Sequence, residues 1–194
     1  MKKILLILMS VSIAYSCSND DDTTTTEPLT FEIGDSHEGG IIFYLDATGE
    51  HGLIASEADQ GEAGWGCKGN TTPIAQDLSI GSGSSNTVAI VTACSEPGIA
   101  AKICADLNLN GFDDWFLPSS DELEQLYLQR NVIGGFDEAE GSIYVSSSEF
   151  YPVETGQHLN CWVHDFGTVQ IIPGSRKLNS NKDNPFRVRA IRAF

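Results

Sequence analysis

The hydrophobic period changes twice along this chain, and each change narrows the architectures open to it. Ile41 to Asp46 and Gly52 to Ser56 are apolar runs of strand length. The turn residues Ala47-Thr48-Gly49-Glu50-His51 separate them, which predicts a hairpin. The spacing then becomes helical. Asn86 is placed to cap a helix over Thr87 to Cys94, and Pro97-Gly98 breaks it. Ile99, Ala100, Ile103, Cys104 and Leu107 share one face of a second helix, which turns Cys104 inward. A third helix opens at Pro118. Ser119 and Glu122 are spaced as a capping box, Leu123, Leu126 and Tyr127 form the inner face, and Gly134-Gly135 ends it. Strand patterns return at Ser142 to Ser147. They continue in a hairpin of Gln157–Asp165 with Thr168–Ile172 about Phe166-Gly167, and in Phe186 to Arg192. No internal repeat is visible. Antiparallel strands at both ends with two or three short helices in the middle predict an α+β domain. Residues 57–86, rich in Gly, Ser, Asn and Thr, read as a long ordered loop pinned by a buried Trp65 and a disulfide.

The first residues read as an address. Lys2 and Lys3 precede an apolar stretch from Ile4 to Ala14. It is shorter than the roughly 20 apolar residues that a membrane-spanning helix needs, and suits a secretory signal. The ending Ala14-Tyr15-Ser16-Cys17 resembles the lipobox of bacterial lipoproteins, which implies cleavage before Cys17 and acylation of that cysteine. Ser18, where an aspartate would retain the protein at the inner membrane, implies the outer membrane. Asn19-Asp20-Asp21-Asp22 resembles the surface-export tag of Bacteroidota lipoproteins. Thr23 to Pro28 continue as a polar tether. The expected organisation is therefore a signal peptide at 1–16, a lipidated cysteine with an acidic, Thr-rich tether at 17–28, and one domain at 29–194. That domain is long enough to bury a core.

Charge is abundant and uneven, with 11 Lys+Arg against 27 Asp+Glu. Residues 151–194 carry six cations (Arg176, Lys177, Lys182, Arg187, Arg189, Arg192) against three anions. Residues 18–150 carry 3 cations against 24 anions. So acidic a body opposes nucleic-acid binding, which needs cations to neutralise phosphate. The cationic last third either meets an anionic ligand or pairs with the acidic body.

Setting Cys17 aside leaves Cys67, Cys94, Cys104 and Cys161. An even number in an oxidising compartment predicts disulfides, with three connectivities open. No two are spaced as a CxxC pair, so no zinc site is expected.

The most informative strand runs from His158 to His164. Leu159, Cys161 and Val163 alternate with His158, Asn160, Trp162 and His164. If the first set lines the core, the second shares the outward face. A tryptophan among hydrogen-bonding groups on such a face stacks on sugars or anchors protein contacts; the bland reading is a loop covering the face. The two histidines stand roughly 20 Å apart along an extended strand and cannot share a metal ion.

Three segments carry a resemblance. Gly39-Gly40-Ile41-Ile42-Phe43-Tyr44 is followed by His51-Gly52-Leu53-Ile54-Ala55 and Trp65-Gly66-Cys67. Gly111 to Tyr127 reads GFDDWFLPSSDELEQLY, and Phe186 to Phe194 reads FRVRAIRAF. Together they resemble the Lcl C-terminal domain family, named from a Legionella collagen-like adhesin, over about Ile33 to Phe194. The Leu117-Pro118-Ser119 segment and the closing Phe186-Arg187-Val188-Arg189 also resemble the formylglycine-generating-enzyme type of C-type-lectin fold. The resemblance implies a C-type-lectin-like domain that binds a glycan or protein through its C-terminal strands and loops. Here that region is about Ser147 to Asn184, and its candidate contacts are His158, Asn160, Trp162, His164, Arg176 and Lys177. It also implies a Cys67–Cys94 disulfide, which would add about 3.5 kcal/mol by chain entropy. Cys104 and Cys161 then form a second bridge or stay as buried thiols. Collagen-like repeats are missing and the domain is acidic, so the namesake's sulfated ligands do not transfer.

Catalytic and metal motifs are absent. Asp106 to Gly111 matches the first half of an EF-hand loop, but position twelve is Leu117 rather than Glu. A looser calcium site would have to draw on Asn108, Asn110, Asp113 or Asp114. No nucleophile elbow, phosphate loop or zinc motif appears. Ser146, Ser147 and Ser148 lack a motif-placed base, and Glu122 serves as a cap. These readings predict a non-enzymatic protein with no cofactor, held to the membrane by lipid alone.

Overall fold

A computed structural model describes residues 30–69, 75–152 and 157–194. The signal peptide, Cys17 and the tether lie outside them. Among the described residues no helix is long and apolar enough to cross a membrane.

The fold is α+β. β1 (Ser36–His37), β2 (Gly40–Leu45) and β3 (Gly52–Ala55) come first, then β4 (Glu62–Ala63). The helices are α1 (Gly83–Ala93), α2 (Ala100–Ala105), α3 (Ser120–Leu128) and α4 (Arg130–Ile133). The chain returns to β5 (Ile143–Phe150), β6 (Asn160–Asp165), β7 (Lys177–Asn181), β8 (Phe186–Arg187) and β9 (Ile191–Ala193). One sheet has the order β1-β2-β3-β9, and the other β4-β8-β5-β6-β7. The predicted first hairpin is β2–β3, pairing Ile41 with Ala55 and Leu45 with Gly52.

Neighbouring residues point into opposite cores. Ile42, Ile54, Leu117, Val145, Cys161 and Val163 belong to one apolar cluster, with α1 and α2 residues such as Ile90 and Cys104. Phe43, Leu53, Phe116, Tyr144 and Ile191 belong to the other, with Leu123 and Leu126 of α3. Both faces of the central strands are thus buried, which explains why β2 and β3 read as continuous apolar runs rather than alternating ones.

Four expectations change. Helix α1 starts at Gly83, so Asn86 lies inside it; its amide donates to the Asp77 carbonyl at 2.7 Å instead of capping. The third helix ends at Leu128, and α4 follows before Gly134 stops it at φ 74°, where a β-carbon is disfavoured. Thr168–Ile172 is not the partner of β6. The Asp165 carboxylate accepts from Gly167 N and Ile171 N, both at 2.9 Å, and curls this segment into a loop. Lys177–Asn181 pairs with β6 instead. Finally, the last strand divides. Its start pairs in one sheet and its end in the other, with Val188, Arg189 and Ala190 buried between.

The capping box is present. Ser119 Oγ accepts from Glu122 N, and Glu122 Oε2 accepts from Ser119 N at 2.7 Å. Cys67 and Cys94 form a disulfide. Cys104 and Cys161 make no second bridge; both are free, buried thiols.

Candidate functional site

Whether β6 offers a recognition face depends on what covers it. Cys161 and Val163 point into the first core as expected. The opposite face is only partly open. Helix α3 packs across its far end, and Tyr127 stacks on the His164 ring with centroids 4.9 Å apart. His164 is 3% exposed and His158 6% exposed, so neither faces solvent. The period-2 argument placed His164 on the correct face, which carries a second core layer there, but not His158: it precedes β6 and bonds Glu149, the cross-strand partner of Cys161, so it lies on the core side. Burial pushes His164 down to about 4, assisted by the cations of Arg176 and Lys177, and the imidazole is neutral near pH 7.

Asn160 and Trp162 remain half-buried. The Asn160 amide donates to Asn179 Oδ1 at 3.1 Å, joining β6 to β7 on this face. The Trp162 indole meets Phe150 edge-on, with ring centroids 5.0 Å apart. Lys177 Nζ stands 5.5 Å from the indole centroid and pairs with Asp121 at 2.7 Å. Arg176 is committed elsewhere, donating to the carbonyls of Asp165 and Gly167 and lying over the Tyr127 ring.

The cationic last third is paired internally. Lys182 pairs with Glu149, Arg187 with Asp137, Arg189 with Asp59, and Arg192 with Asp114 and Glu38. Arg176 faces Asp165 at 3.9 Å. Of the six cations, each has a carboxylate, so the surplus charge neutralises the acidic body rather than forming an open anion site.

Two clefts flank Trp162. One, of about 430 Å³, is lined by apolar Ile143, Val163, Ile171, Ile172 and Leu178 along the β7 edge. The other, of about 250 Å³, lies over β5 and is lined by Gln76, Leu78, Glu149, Phe150, Tyr151 and Trp162. Beneath it Glu149 Oε1 takes Lys182 Nζ and His158 Nδ1, the latter at 2.9 Å. Lys182 in turn sits 3.9 Å from the Trp65 ring centroid, and Tyr151 stacks on His158 at 4.7 Å. A buried ion pair with extra hydrogen bonds holds its neighbours in one arrangement, here the floor under Tyr151.

Gln76, Leu78, Phe150 and Tyr151 were not anticipated. Strand β5 runs on past Ser147 to Phe150, through a register shift between Val145 and Glu149. Ser146, Ser147 and Ser148 make that shift possible. Their hydroxyls donate to the carbonyls of Trp162, Pro118 and Asp77 respectively, so they brace the strand rather than serve as nucleophiles. The aromatic pair Phe150-Tyr151, one residue beyond the serine run, was the available signal.

Around Asn108–Asp114, Asn110 donates to the Gly39 carbonyl and Asp114 is held by two nitrogens of Arg192, at 2.6 and 2.9 Å. That pairing, led by the hydrogen bond from Arg192, lowers the Asp114 pKa. These groups secure the loop around Asn110 and Asp114 to the first sheet, at the β1–β2 turn and at β9. Burial drives the thiols of Cys104 and Cys161 far above the ordinary thiol range, which leaves neither as a nucleophile.

No protein-family model matches this chain, and no curated protein sequence matches it.

Proposed function

We propose that this chain is a lipid-anchored, non-catalytic binding protein of the outer membrane, displayed at the cell surface, which takes a glycan or protein ligand around Trp162. In this reading the domain is a C-type-lectin-like member of the Lcl C-terminal family, and Cys17 carries the lipid. The observation that carries the proposal is the half-buried indole, standing between two clefts among the amides of Asn160 and Asn179. Tryptophan on a surface of this kind contributes affinity out of proportion to its area. Binding of the purified protein to glycan and host-protein arrays tests it. Trp162→Ala should abolish the principal signals, and full retention of binding would refute the site.

A second reading, a structural component of an outer-membrane or periplasmic complex, is favoured by one feature. Val169, Ile171 and Ile172 are 56%, 54% and 51% exposed, in the loop leading to β7. β7 is an edge strand. Apolar side chains beside an open strand edge suit coverage by a protein neighbour. Protease shaving of intact cells separates the readings, because release of the domain supports display and full protection supports the enclosed complex.

A further inference from the structure

Leu128 of α3 and Val132 of α4 are exposed, while Leu126 and Ile133 of the same helices fill the second core. A surface helix ordinarily turns polar groups outward, so apolar residues on its outer side call for a cover. Ile33 is exposed beside them. A β-carbon on the adjoining Gly34 would stand 2.7 Å from Val132 Cγ1, so this segment lies directly against α4. The segment is also fixed. Gly34 N donates to the Ile42 carbonyl at 2.8 Å, and Ile42 N donates to the Asp35 carbonyl at 2.9 Å.

We infer that this face, Ile33 with Leu128 and Val132, rests on the lipid surface to which Cys17 holds the domain. The inference rests on the reading of Cys17 as lipidated, and it adds an orientation to it, with α4 toward the bilayer and α1 away.

The position of the patch along the chain identifies its occupant. Only residues 18–32 separate Ile33 from Cys17. A relaxed chain of that length spans roughly 20 Å, so the lipid is never far from this side of the domain. Three side chains offer too little apolar area to hold a free protein on a membrane. On a short tether the contact becomes intramolecular, and the same small area suffices to set which side faces down. Val88 shows why exposure alone does not decide. It is equally open, but it stands on α1, which packs on the first core, whereas α3 and α4 pack on the second, across the central strands.

Charge selects the kind of lipid. Glu32, Asp35 and Glu124 are exposed next to the apolar residues in sequence or one helical turn away, and Arg130 is paired with Glu138. Anionic headgroups would be repelled, whereas a zwitterionic surface accepts the patch without a charge penalty.

The test uses the full mature chain purified from membranes, with its intact mass read for acyl groups on Cys17. The chain is reconstituted in phosphatidylcholine vesicles whose acyl chains carry bromine. A fluorescent label is placed at Val132→Cys or, for comparison, at Val88→Cys. Cys104 and Cys161 are buried and Cys67 is bonded to Cys94, so the label goes to the introduced thiol. Lipid bromine should quench the Val132 label about twofold or more and spare the Val88 label. Leu128→Glu, verified folded by its thermal melt, should abolish that difference, and vesicles rich in phosphatidylglycerol should reduce it. Equal quenching at both positions, or none at either, in an acylated chain would overturn the inference and leave the anchor standing. A mass without acyl groups would remove anchor and orientation together. Shielding of the Val132 label from an aqueous quencher that grows with protein concentration and needs no vesicles would assign the face to a second copy of the chain and overturn the inference.

Discussion

His164 is held between Tyr127 and Phe166, and its Nδ1 has no partner among the described residues. Protonating it in place is unfavourable, so its pKa falls to about 4 in the folded chain. In the unfolded chain an imidazole titrates near 6.5. Between these values the unfolded state binds more protons, so stability should decline as pH drops from about 6.5 to about 4. Above that window the group contributes no pH dependence. The full effect is on the order of 3 kcal/mol. Urea titrations across the window should show His164→Phe with a flatter profile than wild type, and parallel profiles would contradict this account. The sequence gives the side of the strand on which this residue lies, because alternation is a local property. It does not give its burial, because α3 arrives from some 40 positions away and leaves no mark on the strand's own pattern. Trp162, two residues earlier on the same face, stays half-buried.

At the level of elements, the start of α3 is the most heavily supported joint. Glu122 accepts from Ser119 N and from Gly81 N, each at 2.7 Å, and so ties the approach to α1 onto the helix. Burial raises its pKa, against the opposing hydrogen bonds from Ser119, Gly81 and Gly83. Ser119→Ala should cost about 1–2 kcal/mol through the lost cap and the lost bond to the Ser79 carbonyl. Glu122→Ala should cost more, about 2–4 kcal/mol, since several amides lose their acceptor at once. Denaturant midpoints with unchanged slope would measure both, and a smaller loss for Glu122→Ala would contradict the tie. This joint was legible because a capping box is written in four consecutive residues. The loop after β6 was not. Val169, Ile171 and Ile172 satisfy a strand pattern, and only Asp165, by accepting two backbone N–H groups, bends them out of one. Side-chain acceptors for backbone donors leave little trace in hydrophobic periodicity.

Across the whole molecule, two long-range ties hold the architecture. The Cys67–Cys94 disulfide spans a separation of 27 residues and joins the loop after β4 to the end of α1. Replacing both cysteines with alanine should lower stability by about 3.5 kcal/mol. Thermal melts of that variant should be insensitive to added reductant, whereas the wild-type melt should fall on reduction; an unchanged wild-type melt would contradict the tie. The α+β class was readable from the order of periods. The division into two sheets was not, because the final apolar run looks continuous while Phe186 pairs with Ala63 and Ile191 with Ala55. That crossing has a consequence for assembly. Leu53 waits for Ala193 as its partner, so well over a hundred intervening residues must be synthesised before the first sheet gains its fourth strand. A nascent or threading polypeptide cannot lock prematurely, and the segment that fastens the halves acts as a late clasp, with slow closure expected from such distant pairing.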